Sequence, residues 1–259
     1  MLEQIARVFQ GLSLLTVFAG FWILVMICVP IVRWTAGAGA ERIGIAAGVF
    51  AQVAVVIVTL AAGLGPYALV VVVSVPVLGW ASEVLGSRTG FPFGSYTYTN
   101  VLQPQLADVP VLIPLAWLMM MPPSWAVGAS LAPNNPVAQW AIAAAAFTAW
   151  DVYLDPLMVG WDFWRWKRRG WYLGIPLTNY LGWFAVAFVI TAALALLAGA
   201  VGIPLLESLP TGPMLLVFVI TWILQFIGQF AFWKLHASAV AGLLAMGVFV
   251  VLLILRLGL

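Results

Sequence analysis

Long apolar runs, separated by short polar or turn-rich segments, dominate the pattern of this sequence. A helix needs roughly twenty apolar residues to cross the hydrocarbon core of a bilayer, and runs of that length recur along the chain. The pattern predicts an all-α, polytopic membrane protein with about eight transmembrane helices, and seven is the alternative count. The predicted helices lie near residues 11–32, 43–63, 66–86, 109–128, 135–158, 178–203, 212–232 and 236–255.

Composition supports this class and excludes others. Hydrophobic residues make up 65% of the 259 residues and charged residues only 7%, which is far from the composition of soluble domains. A net charge of +2 does not favour nucleic acid as a partner, so the expected partner is the lipid bilayer. The chain has no linker-like tract, and we expect a single membrane-embedded domain over residues 1–259.

Basic residues are distributed unevenly between the predicted loops. With eight helices, Arg7 and Arg256 lie on one membrane face and the remaining basic residues lie on the other. The positive-inside rule then predicts that the more basic face is cytoplasmic, in the plasma membrane of a prokaryote, with both termini outside. The residues on the predicted cytoplasmic face are Arg33, Arg42, Arg88, Arg165, Lys167, Arg168, Arg169 and Lys234.

Two loops on the predicted cytoplasmic face are unusually aromatic. Residues 87–108 are rich in aromatic and turn-forming residues, including Phe93, Tyr96 and Tyr98, and we expect this loop to be re-entrant or interfacial. Residues 161–179 alternate tryptophans with cations, a pattern typical of a segment at the level of the lipid headgroups.

Two carboxylates, Asp151 and Asp155, end an otherwise apolar run. Residues four apart lie on one face of a helix, so the two side chains can share a proton or a ligand. Asp155 precedes Pro156, which predicts the end of the helix or a kink there. Glu83 ends another long apolar run on the same predicted face, and the three acids are expected to line one cavity. Acids at membrane depth are costly and commonly functional.

Several uses of these acids remain open. They can form ion pairs with Arg88 or with the cluster Arg165–Arg169 and serve only topology or packing. A Mg²⁺-dependent prenyltransferase of the UbiA type and an ion- or proton-coupled transporter are two further alternatives. A metal site would require more ligands, and the only histidine, His236, is isolated; we expect no metal.

The remaining alternative is protonation of an apolar substrate. Such chemistry requires a dry general acid and aromatic faces that stabilise a cation. The candidate aromatic residues for this role are Phe93, Tyr96, Tyr98, Trp150, Tyr153 and Trp171.

The middle of the chain carries three blocks of residues in a characteristic order. They are Glu83, Gly86, Thr89, Gly90, Pro92, Phe93, Gly94, Tyr96 and Tyr98, then Asp151, Asp155 and Pro156, then Tyr172, Gly174, Ile175, Pro176, Asn179, Gly182 and Trp183. In these blocks, which span about a hundred residues, the chain resembles the CruF-type carotenoid hydratases, a family also labelled carotenoid biosynthesis proteins. The outer helices match only in hydropathy.

This resemblance implies an enzyme that adds water across the terminal 1,2 double bond of an acyclic carotenoid end, with no redox cofactor or metal. The family supplies no residue roles, so the roles are hypotheses. Either Asp151 or Asp155 donates the proton, its neighbour holds the water or shares the proton, and Glu83 completes the acidic cluster. Asn179 either orients the water or caps the helix that follows. Tyr96, Tyr98 and Tyr172 position water or line the cavity.

Overall fold

The computed structural model describes residues 13–258, and most of them are helical. The α-helices are α1 (Leu14–Leu64), α2 (Ala68–Thr89), α3 (Leu112–Leu131), α4 (Pro136–Gly160), α5 (Leu177–Ala200), α6 (Thr211–Ile227) and α7 (His236–Leu257). A 3₁₀ turn, Gly65–Tyr67, joins α1 to α2, and a π-helical turn, Gly228–Phe232, follows α6. The short strands are β1 (Tyr96–Tyr98), β2 (Gln105–Leu106), β3 (Val109–Pro110) and β4 (Trp164–Trp166).

Helix α1 is a hairpin of two antiparallel segments. Its 51 residues would span about 76 Å as one straight helix, more than twice the thickness of a bilayer core. The backbone leaves the helical conformation at Gly37. A Cβ on Gly44 would lie 3.4 Å from Val29, and one on Gly48 would lie 3.1 Å from Met26. These pairings fold the second segment of α1 back along the first.

The helices confirm the predicted all-α membrane architecture. Among the described residues, six helical runs are long and apolar enough to cross a membrane. The first run, Leu14–Thr89, contains α1 and α2 and overlaps three of the predicted helices, whereas each of the other five runs overlaps one. The start of the first predicted helix, Arg7 and the predicted placement of the N-terminus lie outside the described residues.

Helices α3 and α4 form the centre of the bundle. In each, 67% of the most apolar 18-residue stretch is buried, against 17–39% in the other runs, and α4 contacts α3, α5 and α7. The outer helices expose leucine and valine side chains, as helices that face lipid do. Of the two outcomes predicted at Asp155 and Pro156, an end of the helix or a kink, the end is wrong, because α4 continues through Pro156 to Gly160, close to the predicted end near residue 158. Likewise, α3 continues through Pro122 and Pro123.

The two aromatic loops meet at one end of the bundle. Strand β1, from the first loop, pairs antiparallel with β4, from the second, and places Tyr96 opposite Trp166 and Tyr98 opposite Trp164. Because side chains alternate across a strand, these four aromatic side chains share one face of the ribbon, and they line the same cavity below it.

The break in α1 and the turn after α6 lie at this same end. Glu41 is buried, forms an ion pair with Arg33 and accepts a hydrogen bond from Trp233 Nε1 at 2.8 Å. The ring of Trp233 also lies 5.2 Å from that of Trp161, which follows α4. One end of the bundle therefore gathers residues near 37, 96, 164 and 233, in agreement with the loop alternation expected from the sequence.

Candidate active site

Asp151 and Asp155 share one amide donor. Asn179 Nδ2 donates to Asp151 Oδ2 at 2.6 Å and to Asp155 Oδ2 at 2.8 Å, and all three side chains are at least 98% buried. Asn179 lies in the first turn of α5, whose N-cap is Pro176. The amide therefore does not cap the helix. It joins α5 to the two aspartates on the facing side of α4.

The oxygens of the two aspartates have different surroundings. Asp155 Oδ1 accepts from the indole nitrogens of Trp164 at 2.6 Å and Trp166 at 3.3 Å. Asp151 Oδ1 is buried and has no hydrogen-bond partner among the described residues. Buried carboxylate oxygens are normally hydrogen-bonded. A ligand or a proton is therefore expected at Asp151 Oδ1, the oxygen without a donor.

Glu83 is the third acid, and both oxygens of its carboxylate accept hydrogen bonds. Its Oε2 accepts from Tyr96 Oη at 2.5 Å and from Tyr98 Oη at 2.9 Å, and its Oε1 accepts from Trp117 Nε1 at 3.2 Å. Tyr98 lies outside the membrane-spanning helices, and burial together with the charge of Glu83 raises the pKa of its hydroxyl. The phenol therefore remains a donor.

Two glycines allow the first loop to dock against the helices. A Cβ on Gly86 in α2 would lie 2.5 Å from the ring of Phe93, and a Cβ on Gly182 in α5 would lie 2.8 Å from the same ring. Any larger residue would therefore overlap Phe93. The buried Phe93 ring fixes the start of the loop that carries Tyr96 and Tyr98, and through these tyrosines it fixes the position of Glu83.

These groups line a cavity of about 30 Å³, which we name the acid chamber. This volume accommodates two or three water molecules at most, since a water requires roughly 10–15 Å³ of such space and several polar partners. The chamber contains all three predicted acids and Asn179. It is lined by Glu83, Phe93, Tyr96, Tyr98, Ile113, Ala116, Trp117, Asp151, Leu154, Asp155, Trp164, Trp166, Asn179 and Trp183.

The ion pairs do not involve these acids. Within residues 13–258, the nearby cations Arg165 and Arg88 bond to Asp162 and Asp108, both outside the chamber. Arg165 lowers the pKa of the exposed Asp162 through hydrogen bonding and charge. The alternative in which the buried acids pair with Arg88 or the Arg165–Arg169 cluster is therefore wrong.

Four of the aromatic residues predicted to bind substrate lie outside the acid chamber. Trp150 is buried against Phe147 and Trp183 and lines a different cavity. The ring of Tyr153 packs against Gly242 of α7. Trp171 is 81% exposed.

The fourth of these residues, Tyr172, bonds to the backbone. Its hydroxyl donates to the carbonyl oxygen of Val152 at 3.1 Å. Burial, with a smaller effect of the Asp151 charge, raises the pKa of Tyr172 to about 12. Phe93, Tyr96 and Tyr98 are thus the predicted aromatic residues that the fold brings to the acid chamber.

Sequence reasoning missed four tryptophans of the chamber. Trp164 and Trp166 were expected at the headgroup level, but Trp164 is only 7% exposed and both bond to Asp155. Their i, i+2 spacing, like that of Tyr96 and Tyr98, is the alternation of a strand and was the available signal. Trp117 and Trp183 stack with ring centroids 5.0 Å apart, and nothing in their local sequence indicates that contact.

The chemistry available here is that of carboxyls, amide, phenols and indoles. Within residues 13–258, no group of three or more histidine, cysteine, aspartate or glutamate side chains is arranged to hold a metal ion. The three acids are instead held by nitrogen and hydroxyl donors, and aromatic rings surround them. Such a site can hold and move a proton next to an apolar molecule.

Comparison with known proteins assigns the chain to a family. The chain is 30% identical over 115 residues to a bisanhydrobacterioruberin hydratase from Haloarcula japonica. The match covers 43% of this chain and 39% of that protein. No solved structure matches the chain. The sequence model of the family described as "Carotenoid biosynthesis protein" matches residues 43–250. This range includes every residue of the acid chamber, and the chain belongs to the carotenoid biosynthesis protein family.

Proposed function

We propose that this protein is a membrane hydratase that adds water to the terminal 1,2 double bond of an acyclic carotenoid end. The observation that carries the proposal is the bare, buried Asp151 Oδ1 in an aromatic chamber, beside an aspartate whose oxygens are both bonded. Membership of a carotenoid biosynthesis family and similarity to a protein named as a hydratase support the same reaction.

Asp151 is the proton donor in this proposal. A protonated carboxyl carries one O–H donor, and Oδ1 is the oxygen of Asp151 that no donor within residues 13–258 reaches. Asn179 holds the other oxygen at 2.6 Å and so fixes the direction of Oδ1. Asp155 and Glu83 each accept three hydrogen bonds, which makes them less suitable as donors to an alkene.

The addition balances without an external reagent. The Asp151 O–H bond breaks while the electron pair of the C1=C2 bond forms a C2–H bond, which leaves a tertiary cation at C1. The oxygen of water then bonds to C1 and releases a proton to the Asp151 carboxylate, which restores the acid. The product is a tertiary alcohol, and the enzyme is unchanged.

The aromatic walls stabilise the cation. Cations are attracted to the faces of aromatic rings by about 2 kcal/mol or more in desolvated sites. Phe93, Trp117 and Trp183 line the acid chamber, and an apolar wall offers no nucleophile that would trap the cation. In this proposal Asp155, together with Asn179, orients the attacking water.

The orientation proposed for the membrane follows from charge. The acid chamber lies at the end of the bundle that carries the eight basic residues from Arg33 to Lys234, and the positive-inside rule assigns such an end to the cytoplasm. In a prokaryote the membrane is the plasma membrane, and the hydroxyl of the product is released near its cytoplasmic headgroups.

The test is expression of the chain in cells that make lycopene, followed by mass spectrometry of the pigments. We expect a new pigment heavier by one water. If lycopene and monocyclic or elongated acyclic carotenoids are all recovered unchanged from cells with the protein in their membranes, the proposal is wrong. EDTA added to isolated membranes separates the hydratase from the Mg²⁺-dependent prenyltransferase alternative, because the hydratase is expected to keep its activity.

A further inference from the structure

A second, larger cavity lies on the other side of α4. Its volume is about 280 Å³, and its walls come from α1, α3, α4, α6 and the π-helical turn. Most of the lining side chains are apolar, and Gln52, Thr221 and Gln225 are the polar ones. Gln52 Nε2 and Thr221 Oγ1 bond to each other at 3.3 Å. We name this space the apolar cavity.

Helix α4 separates the apolar cavity from the acid chamber. Trp150, Leu154, Leu157, Met158 and Trp161 line the cavity, at spacings of four, three, one and three residues that place them on one helix face. A helix turns by about 100° per residue, so the two aspartates that follow Trp150 and Leu154 face sideways, into the acid chamber.

Leu154 lines both spaces. It lies at the border between the apolar face of α4 and the face that carries the aspartates. Its side chain is only partly buried, and a leucine has rotatable bonds that allow it to swing aside. That movement breaks no hydrogen bond, because an aliphatic side chain makes none.

The acid chamber is too small to contain a substrate end as it stands. Its volume of about 30 Å³ holds water, but not a branched isoprenoid end in addition. The apolar cavity is much larger, and its rim includes Ile27 and Ile227, which are 48% and 43% exposed on the outer surface of the bundle. An apolar chain in the bilayer therefore reaches the cavity without crossing water.

We propose that the apolar cavity binds the hydrocarbon chain of the substrate. We also propose that Leu154 separates the two spaces and that the reactive end of the substrate passes this side chain to enter the acid chamber. The occupant is the part of an acyclic isoprenoid chain next to its terminal double bond. This inference rests on the proposed hydratase function for the identity of the chain. The remainder of the molecule extends from the rim into the lipid.

The test fills the cavity with a larger side chain. Leu224 lines the apolar cavity, and Leu224→Trp places an indole in it. The matched control is Leu216→Trp on the same helix, where the leucine is 63% exposed on the lipid side. We expect Leu224→Trp to lower kcat/KM for an acyclic carotenoid by about tenfold or more, chiefly through KM, and Leu216→Trp to remain within about twofold of the unmodified protein.

A binding measurement separates this inference from the hydratase proposal. Each protein is purified from carotenoid-producing cells, and its bound pigment is measured from the visible absorption per mole of protein. Retention by the unmodified protein and Leu216→Trp, with severalfold loss in Leu224→Trp, supports the cavity assignment even if no hydration is detected. Equal retention in all three proteins, or none in any, overturns it. If Leu224→Trp does not elute as a folded protein, Leu224→Phe takes its place under the same criteria.

The role of Leu154 is tested by changing the size of its side chain. Leu154→Trp is expected to block the passage from the apolar cavity to the acid chamber, so that pigment remains bound but hydration falls by about tenfold or more. The control is again Leu216→Trp on the lipid side of α6, which is expected to keep both binding and turnover. If Leu154→Trp hydrates as fast as the unmodified protein, the substrate end does not pass this residue, although the hydratase function still stands.

Discussion

Glu83 on α2 and Asp151 on α4 are both buried in the wall of the acid chamber, but they differ in what reaches their oxygens. Glu83 accepts hydrogen bonds from two phenols and one indole. Asp151 accepts one, from Asn179, and its second oxygen has no partner among the described residues. Burial is almost the same for both, 4% and 1% exposed, so burial does not separate their roles.

The difference indicates a division of work inside one chamber. Donors to a carboxylate hold its oxygens in place and satisfy its charge, so the contacts of Glu83 tie α2, α3 and β1 together around a fixed acceptor. An oxygen without donors is free to carry a proton or to meet a substrate. We therefore expect substitutions on the Asp151 side to reduce turnover most, and substitutions on the Glu83 side to reduce stability as well as turnover.

The sharpest test of this difference is Asp151→Asn. An amide of the same shape keeps an acceptor for Asn179 but has no acidic proton, so hydration is expected to fall by about 10²–10⁴-fold, the usual contribution of a general acid. Pigment analysis measures the loss, and the amount of protein in the membrane serves as the control. Full activity in this variant would remove Asp151 from the role of acid.

The second largest effect is expected from Asn179→Leu. The leucine removes the donor shared by the two aspartates, and each buried oxygen left unsatisfied costs about 1–3 kcal/mol. Both thermal stability and hydration should therefore fall, with hydration reduced by about tenfold or more because Asp151 is no longer oriented. The control is Asn134→Leu in the exposed loop before α4, which should change neither. Activity without loss in Asn179→Leu would show that the bridge does not position the acid.

The helices were predictable because each depends on a local property of the chain. Runs of about twenty apolar residues set their number and approximate bounds. The four-residue spacing of Asp151 and Asp155 was enough to place both carboxyls on one face, and their shared contact with Asn179 confirms it. Pro156 does not end α4, since the helix continues for four more residues beyond it, so the proline alone did not define the helix boundary.

The rest of the chamber depends on contacts between distant segments. Trp117 meets Glu83 across 34 positions of the chain, and no local spacing encodes such a pair. The ribbon is an intermediate case. The alternation in Tyr96–Tyr98 and Trp164–Trp166 is visible in the sequence, but the pairing of β1 with β4 is set by the helices that bring the two loops together.

Glu83→Gln sharpens the comparison from the other side. The glutamine keeps one carbonyl acceptor but turns the other oxygen into an amide nitrogen, which cannot accept from Trp117 or from the tyrosines. We expect about a tenfold loss of hydration together with a lower melting temperature. A loss as large as that of Asp151→Asn, with an unchanged melting temperature, would contradict the division and make Glu83 part of the proton transfer.

The smallest expected effects come from the two indoles that bond to Asp155. Trp164 donates to Oδ1 at 2.6 Å and Trp166 at 3.3 Å, so replacing each by phenylalanine removes a short bond in one case and a long one in the other. Both bonds end on the same carboxyl oxygen, where a hydrogen bond to a charged group contributes about 1.5–3 kcal/mol, and the contribution falls as the donor–acceptor distance grows beyond the usual N–H···O range. Unfolding measurements should therefore find Trp164→Phe the less stable variant.

Trp164→Phe also removes the shorter of the two hydrogen bonds to Asp155 Oδ1. If the number of donors decides which aspartate carries the proton, the double variant Trp164→Phe/Trp166→Phe should make Asp155 resemble Asp151, because Oδ1 then has no donor. Adding Asp151→Asn to that double variant should restore measurable hydration relative to Asp151→Asn alone. Hydration that stays at the level of the single Asp151→Asn variant would mean that position on α4, and not the absence of donors, selects the acid.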